Sequence, residues 1–157
     1  MTAEPPLEAS VHVDAAPDAV WRLVSDITRM GEWSPQCRGG RWLGRPNGPV
    51  VGARFVGFNR QGWKWWATTN KVVEAEPGRV FAFRTDQNRA RWVFRLEPDG
   101  DGGGTTLVQR RELPDGRSAL STGFVRAFLG GNDRFDGELR DGMRRTLERI
   151  KAVAERA

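Results

Sequence analysis

Apolar and polar positions alternate over residues 8–14. Ala9, Val11 and Val13 take one face and Ser10, His12 and Asp14 the other, which is the pattern of a half-buried strand. Pro17 suits the first position of a helix. Val20, Leu23, Val24 and Ile27 then follow at the spacing of one helical face, and the helix is expected to fail between Thr28 and Gly31. Residues 32–52 hold five glycines and three prolines, and read as a loop with one short strand at 41–43. Five strand-like runs come next, at 53–59, 64–75, 79–85, 91–97 and 105–112, separated by short turn-forming breaks. Breaks this short join antiparallel neighbours, because parallel strands need long crossovers. The five runs therefore predict a meander.

Beyond Pro114-Asp115-Gly116 the period changes. Leu120, Phe124 and Phe128 lie four apart, predicting a short helix ended by Gly130-Gly131. Asn132 can cap a final helix whose apolar stripe is Phe135, Leu139, Met143, Leu147, Ile150 and Ala154. Such a helix of about 24 residues is roughly 36 Å long. Its stripe needs a large apolar surface to cover it, and the meander is the only candidate. The prediction is one α+β domain over residues 1–157, with an antiparallel sheet gripping the last helix.

Composition narrows the function. The chain has 157 residues, 38% of them hydrophobic and 29% charged, which fits a domain with its own core. No apolar run approaches a membrane-spanning length and no signal peptide is evident. The single Cys37 cannot form an internal disulfide, so a reducing, cytoplasmic setting is expected. The net charge of +5 comes from scattered arginines with no basic run longer than a pair, so specific nucleic-acid binding is not expected. Seven tryptophans in so short a chain exceed what a compact core needs, and point to the wall of a cavity.

Several chemistries are excluded. His12, the only histidine, falls on the outer face of its strand and cannot complete a serine triad. One His and one Cys cannot assemble a zinc site. The run Asp99-Gly100-Asp101-Gly102-Gly103 resembles the start of a calcium loop, but Arg110 stands at the twelfth position where a glutamate is required. No glycine-rich phosphate motif links a strand to a helix. No metal and no cofactor are expected. Cys37 beside Arg38 reads as a packed thiol rather than a reactive one.

A set of motifs then fits one family. They are Ala16-Pro17-Asp18-Ala19-Val20-Trp21, Ser25-Asp26-Ile27, Met30-Gly31-Glu32-Trp33-Ser34-Pro35, Val72-Val73-Glu74-Ala75-Glu76-Pro77-Gly78-Arg79 with Phe81-Ala82-Phe83, Arg91-Trp92 with Leu96-Glu97-Pro98, and Thr146-Leu147-Glu148-Arg149-Ile150-Lys151. On these pieces, which span nearly the whole chain, the protein resembles the START-like (SRPBCC) superfamily and its bacterial polyketide cyclase/dehydrase-like branch. The resemblance implies a helix-grip fold, with a curved seven-stranded sheet around the last helix and an apolar cavity between them. Members bind or transport lipids, polyketides, hormones and quinones, and some cyclise or dehydrate polyketides. Two positions depart from the pattern. Relatives often carry a carboxylate after Trp-Ser-Pro and another in the last strand, where this chain has Gln36 and Gln109. An amide cannot accept a proton as a base does.

Alternation assigns the inner face of the sheet. Trp92, Phe94 and Leu96 point inward, as do Phe81 and Phe83, and Leu107 carries Gln109 and Arg111 with it. Phe55 carries Gly57 and Asn59. In 63–73 both faces are apolar. The family's placing of Val72 selects Trp66, Thr68, Asn70 and Val72 as inward, leaving Trp63 and Trp65 outward or beneath a loop. The expected ligand-binding wall is Trp33, Phe55, Asn59, Trp66, Asn70, Phe81, Phe83, Trp92, Phe94, Gln109, Arg111, Phe124, Phe128, Phe135, Leu139 and Met143. Arg111 is either an anchor for a ligand oxygen or half of an ion pair with Glu112, Asp26 or a helix acid. The expected function is binding or carriage of a small hydrophobic or aromatic ligand, such as a polyketide, lipid or quinone, by a monomer or homodimer. Two alternatives stand beside it: a cyclase/dehydrase that acts by shaping its substrate, and a protein-interaction module marked by exposed Trp63 and Trp65.

Overall fold

A computed structural model describes residues 4–100, 102–114 and 132–156, the side chains of residues 4–5 and 132–135 excepted. The expected helix around Leu120, Phe124 and Phe128 lies outside the described residues, as do the side chains of Asn132 and Phe135. Seven strands form one antiparallel sheet: β1 Glu4–Val13, β2 Cys37–Leu43, β3 Arg54–Gln61, β4 Lys64–Glu76, β5 Val80–Thr85, β6 Arg91–Pro98 and β7 Thr105–Leu113. Their spatial order is β1-β7-β6-β5-β4-β3-β2. The meander is continuous from β2 to β7, and β1 closes against β7.

Helix α1, Pro17–Val24, starts on proline and is shorter than expected. Asp26 interrupts it. Its side chain accepts from the Thr28 backbone N–H at 3.1 Å and caps a 3-10 turn, Ile27–Arg29, which leads into the short α2, Met30–Trp33. A carboxylate capping its own chain competes with helical continuation. Ile27 is buried all the same.

Strand β2 is four residues longer than expected, because Gly39 and Gly40 lie inside it. Gly40 faces the 3-10 turn so closely that a Cβ there would stand 2.5 Å from the Ile27 carbonyl oxygen. The glycine permits close packing of backbone on backbone, and is not a turn signal. In β4 the inward set is Trp66, Thr68, Asn70 and Val72, as the sequence reading placed it. A bulge between Val72 and Glu74 then shifts the alternation, so Ala75 meets the core.

The final helix, α3, spans Asn132–Arg156 and lies against β1, with further contacts to α1, α2 and β7. Its two halves meet different surroundings. Leu147, Ile150 and Ala154 are buried in the main core with Val13, Val20, Phe81, Leu96 and Leu107. The preceding turns, Leu139 to Thr146, face a cavity instead.

Candidate functional site

The cavity, about 570 Å³, lies between the first half of α3, the segment joining α2 to β2, and the inward faces of β3 to β7. That volume suits a drug-sized molecule. Trp33, Phe55, Trp66, Phe83, Trp92, Phe94, Leu139 and Met143 give it an apolar wall. Part of the wall is fixed by edge-to-face ring contacts. Phe55 lies 5.6 Å from Trp42 and 5.0 Å from Phe83 between ring centroids.

Asn59, Asn70, Gln109 and Arg111 also reach the cavity, as alternation along β3, β4 and β7 required. Asn70 is held from three sides. Its Oδ1 accepts from Thr85 Oγ1 at 2.8 Å, and its Nδ2 donates to the Thr68 carbonyl at 3.3 Å and the Phe55 carbonyl at 3.5 Å. Asn59 Nδ2 donates to the Gly57 carbonyl at 3.4 Å. Gln109 differs. It is only 7% exposed, and its Oε1 has no hydrogen-bond partner among the described residues.

Arg111, 5% exposed, follows Gln109 on the same face. Its Nη1 stands 4.0 Å from Oδ1 of Asp136 on α3, and its guanidinium carbon lies 5.9 Å from the centre of the Trp92 ring. Of the three acids considered from sequence, the helix acid is the one it meets. Glu112 instead pairs with Arg91 and Arg110. Asp26 serves its own turn.

The rim is polar. Gln36 Nε2 donates to Gln61 Oε1, and Gln61 Nε2 donates to Glu138 Oε2, both at 3.4 Å, linking the α2–β2 segment, the β3–β4 hairpin and α3. Glu138 is the only carboxylate lining the cavity among the described residues. Cys37 is buried beside the rim. Desolvation pushes its thiol up, and this outweighs the smaller lowering effects of the Gly39 backbone and of the Arg38 charge.

Phe81 departs from expectation. It is fully buried in the filled core, 6.2 Å from Phe83 between centroids, and does not line the cavity. Phe124 and Phe128 lie outside the described residues, and nothing is described of the Phe135 side chain. The sequence reading missed Thr85 and Thr146 as lining residues. Thr85 continues the alternation of Phe81 and Phe83, and Thr146 lies one helical turn after Met143. It also missed Met30, where the first helix was expected to fail, and Gln36 and Cys37, whose segment was read as loop. His12 is far from this chemistry, with its Nδ1 2.6 Å from Asp99. No group of three or more metal-ligating side chains occurs among the described residues. None of their helices is long and apolar enough to cross a membrane.

The Polyketide_cyc-like protein Cgl2372 from Corynebacterium glutamicum is 32% identical to this chain, with a TM-score of 0.62, over 96% of this chain and 91% of that one. The ZhuI aromatase/cyclase from Streptomyces sp. R1128 shares the fold at 18% identity and a TM-score of 0.76, over 97% and 94%. Major latex-like protein 151 from Panax ginseng does so at 9% identity and a TM-score of 0.71, over 98% and 99%. No curated protein matches the chain. A family model described as polyketide cyclase / dehydrase and lipid transport matches residues 5–155. On that match and the Corynebacterium relative, the chain belongs to the polyketide cyclase/dehydrase and lipid transport family.

Proposed function

We propose that this protein binds, and carries, a small aromatic or polyketide-like molecule bearing a hydroxyl and an anionic or enolic oxygen. The observation that supports this best is Gln109. Its buried Oε1 lacks a donor among the described residues, within an aromatic-walled cavity and beside the guanidinium of Arg111. A buried acceptor left unmatched is costly, and a ligand O–H removes that cost. Arg111 complements a phenolate, enolate or carboxylate oxygen on the same edge of the ligand. Amides stand at positions 36 and 109, and Glu138, at the rim, is bonded to Gln61. Such a lining favours holding a ligand over acid–base turnover. In this reading the protein works in the cytoplasm without a cofactor.

Titrating intrinsic tryptophan fluorescence with 2-naphthol, 2-naphthoate and naphthalene tests the reading. The two oxygenated probes should bind more tightly than naphthalene. Gln109→Leu should weaken 2-naphthol by roughly tenfold, the worth of one hydrogen bond, and leave naphthalene unchanged. Equal affinities for all three probes, unaltered by Gln109→Leu, would sink it. Native mass spectrometry of freshly purified protein would then weigh the natural ligand.

A further inference from the structure

The large hydrophobic side chains that stand exposed among the described residues all fall in one stretch: Leu43, Val50, Val51, Phe58, Trp63 and Trp65. The charge is segregated in the same place. From Trp33 to Val73 there are seven Arg or Lys and no Asp or Glu, whereas the remainder of the chain has 18 basic and 20 acidic residues. The arginines are scattered, but the acids avoid this stretch. Folded, it supplies β2, β3 and β4, one edge of the sheet.

Aromatics concentrate at the β3–β4 hairpin. Arg60 pairs across the strands with Trp65, and Phe58 with Ala67, so these four share the outer face. Trp63, at the turn, is 79% exposed and Trp65 62%. The Arg60 guanidinium lies 5.0 Å from the Trp65 ring centre, and the Lys64 ammonium 5.8 Å from that of Trp63. The other face of this hairpin lines the cavity through Asn59, Gln61 and Trp66.

We propose that the β3–β4 hairpin docks the protein onto an anionic lipid bilayer, with Trp63, Trp65 and Phe58 at headgroup depth and the cavity rim turned towards the membrane. Tryptophan favours the membrane–water interface, where its ring is half dehydrated and its N–H stays solvated. The stretch itself carries Arg and Lys without a carboxylate, which complements anionic headgroups; the acids that meet it, Asp86 on Arg54 and Glu138 on Gln61, come from outside it. Nucleic acid also attracts cations and stacks on tryptophan. Leu43, Val50 and Val51 lie at the far end of β2 and β3 from the hairpin, so the preference for a bilayer rests on the exposed cluster of Phe58, Trp63 and Trp65 beside the cavity rim. A membrane-facing rim gives an apolar ligand a route between bilayer and cavity that avoids water.

Co-sedimentation of the full chain with vesicles tests this. The protein should bind phosphatidylglycerol-rich vesicles at low salt, bind less as salt rises, and ignore pure phosphatidylcholine. Trp63→Ala with Trp65→Ala should reduce binding by roughly tenfold or more, while far-ultraviolet circular dichroism and naphthol affinity stay unchanged. That unchanged affinity separates docking from the ligand reading, since neither tryptophan lines the cavity. Three results would overturn the proposal: no binding to anionic vesicles at low salt, binding undiminished by the two substitutions, or tryptophan-dependent binding to single-stranded oligonucleotide or to a second copy of the chain with vesicles ignored.

Discussion

Arg111 on β7 and Asp136 on α3 approach to 4.0 Å, tying the last strand to the first turns of the last helix. Arg111 is nearly fully buried and Asp136 is partly so, so their attraction is poorly screened. Removing one member leaves a buried charge without that partner. Arg111→Met should therefore destabilise by about 3 kcal/mol. Asp136→Asn in the Arg111→Met background should recover part of that loss. A double-mutant cycle in urea should show coupling of about 1 kcal/mol or more. Coupling near zero would mean that Arg111 is held chiefly by its contact with Trp92.

The divided helix gives a second expectation. Leu147 and Ile150 sit in filled core, so truncating either to alanine should cost about 2–5 kcal/mol. Met143 is equally buried but borders existing space. Its truncation enlarges a cavity rather than opening one, and removes fewer contacts. Met143→Ala should cost measurably less in the same denaturant melts. Equal losses at all three positions would show that the helix packs uniformly along its length.

Much of this division was legible in the sequence. Strict alternation in β6 and β7 placed Trp92, Phe94, Gln109 and Arg111 on the inner face, because a one-residue slip would bury Arg91, Arg95 and Arg110. Alternation specifies a face, however, and not a depth along the strand. Phe81 and Phe83 share a face, yet only Phe83 reaches the cavity. The bulge at Val73 was hidden because valine and alanine are at home on either side of it. Strand β2 was hidden by its glycines, whose reason is tertiary: what approaches Gly40 is Ile27, thirteen residues earlier.

The two glycines of β2 therefore predict opposite outcomes. A Cβ on Gly39 would meet nothing within 4 Å, and one on Gly40 would strike the Ile27 backbone at 2.5 Å. Gly39→Ala should be neutral or stabilise by up to about 1 kcal/mol, by narrowing the unfolded ensemble. Gly40→Ala must push the 3-10 turn off the sheet and should cost about 1–3 kcal/mol. Thermal melts of the two variants provide the comparison. If both changes were neutral, the turn would not be packed on β2 as described.

Cys37 supplies a pH-dependent test at the cavity's edge. Burial pushes its thiol up, so folding favours the protonated form. The sign follows: this thiol costs no stability below the unfolded thiol's pKa, and stability falls as pH rises past it. Alkylation requires the thiolate. Iodoacetamide at pH 8 should thus label the native protein at least roughly tenfold more slowly than the urea-unfolded chain, and labelling of the native protein should keep accelerating above the pH at which a free thiol has fully ionised. A ligand filling the cavity should slow labelling further, because Cys37 borders the same space. Equal rates for native and unfolded chain at pH 8 would show the thiol to be exposed, and would remove Cys37 from the cavity wall.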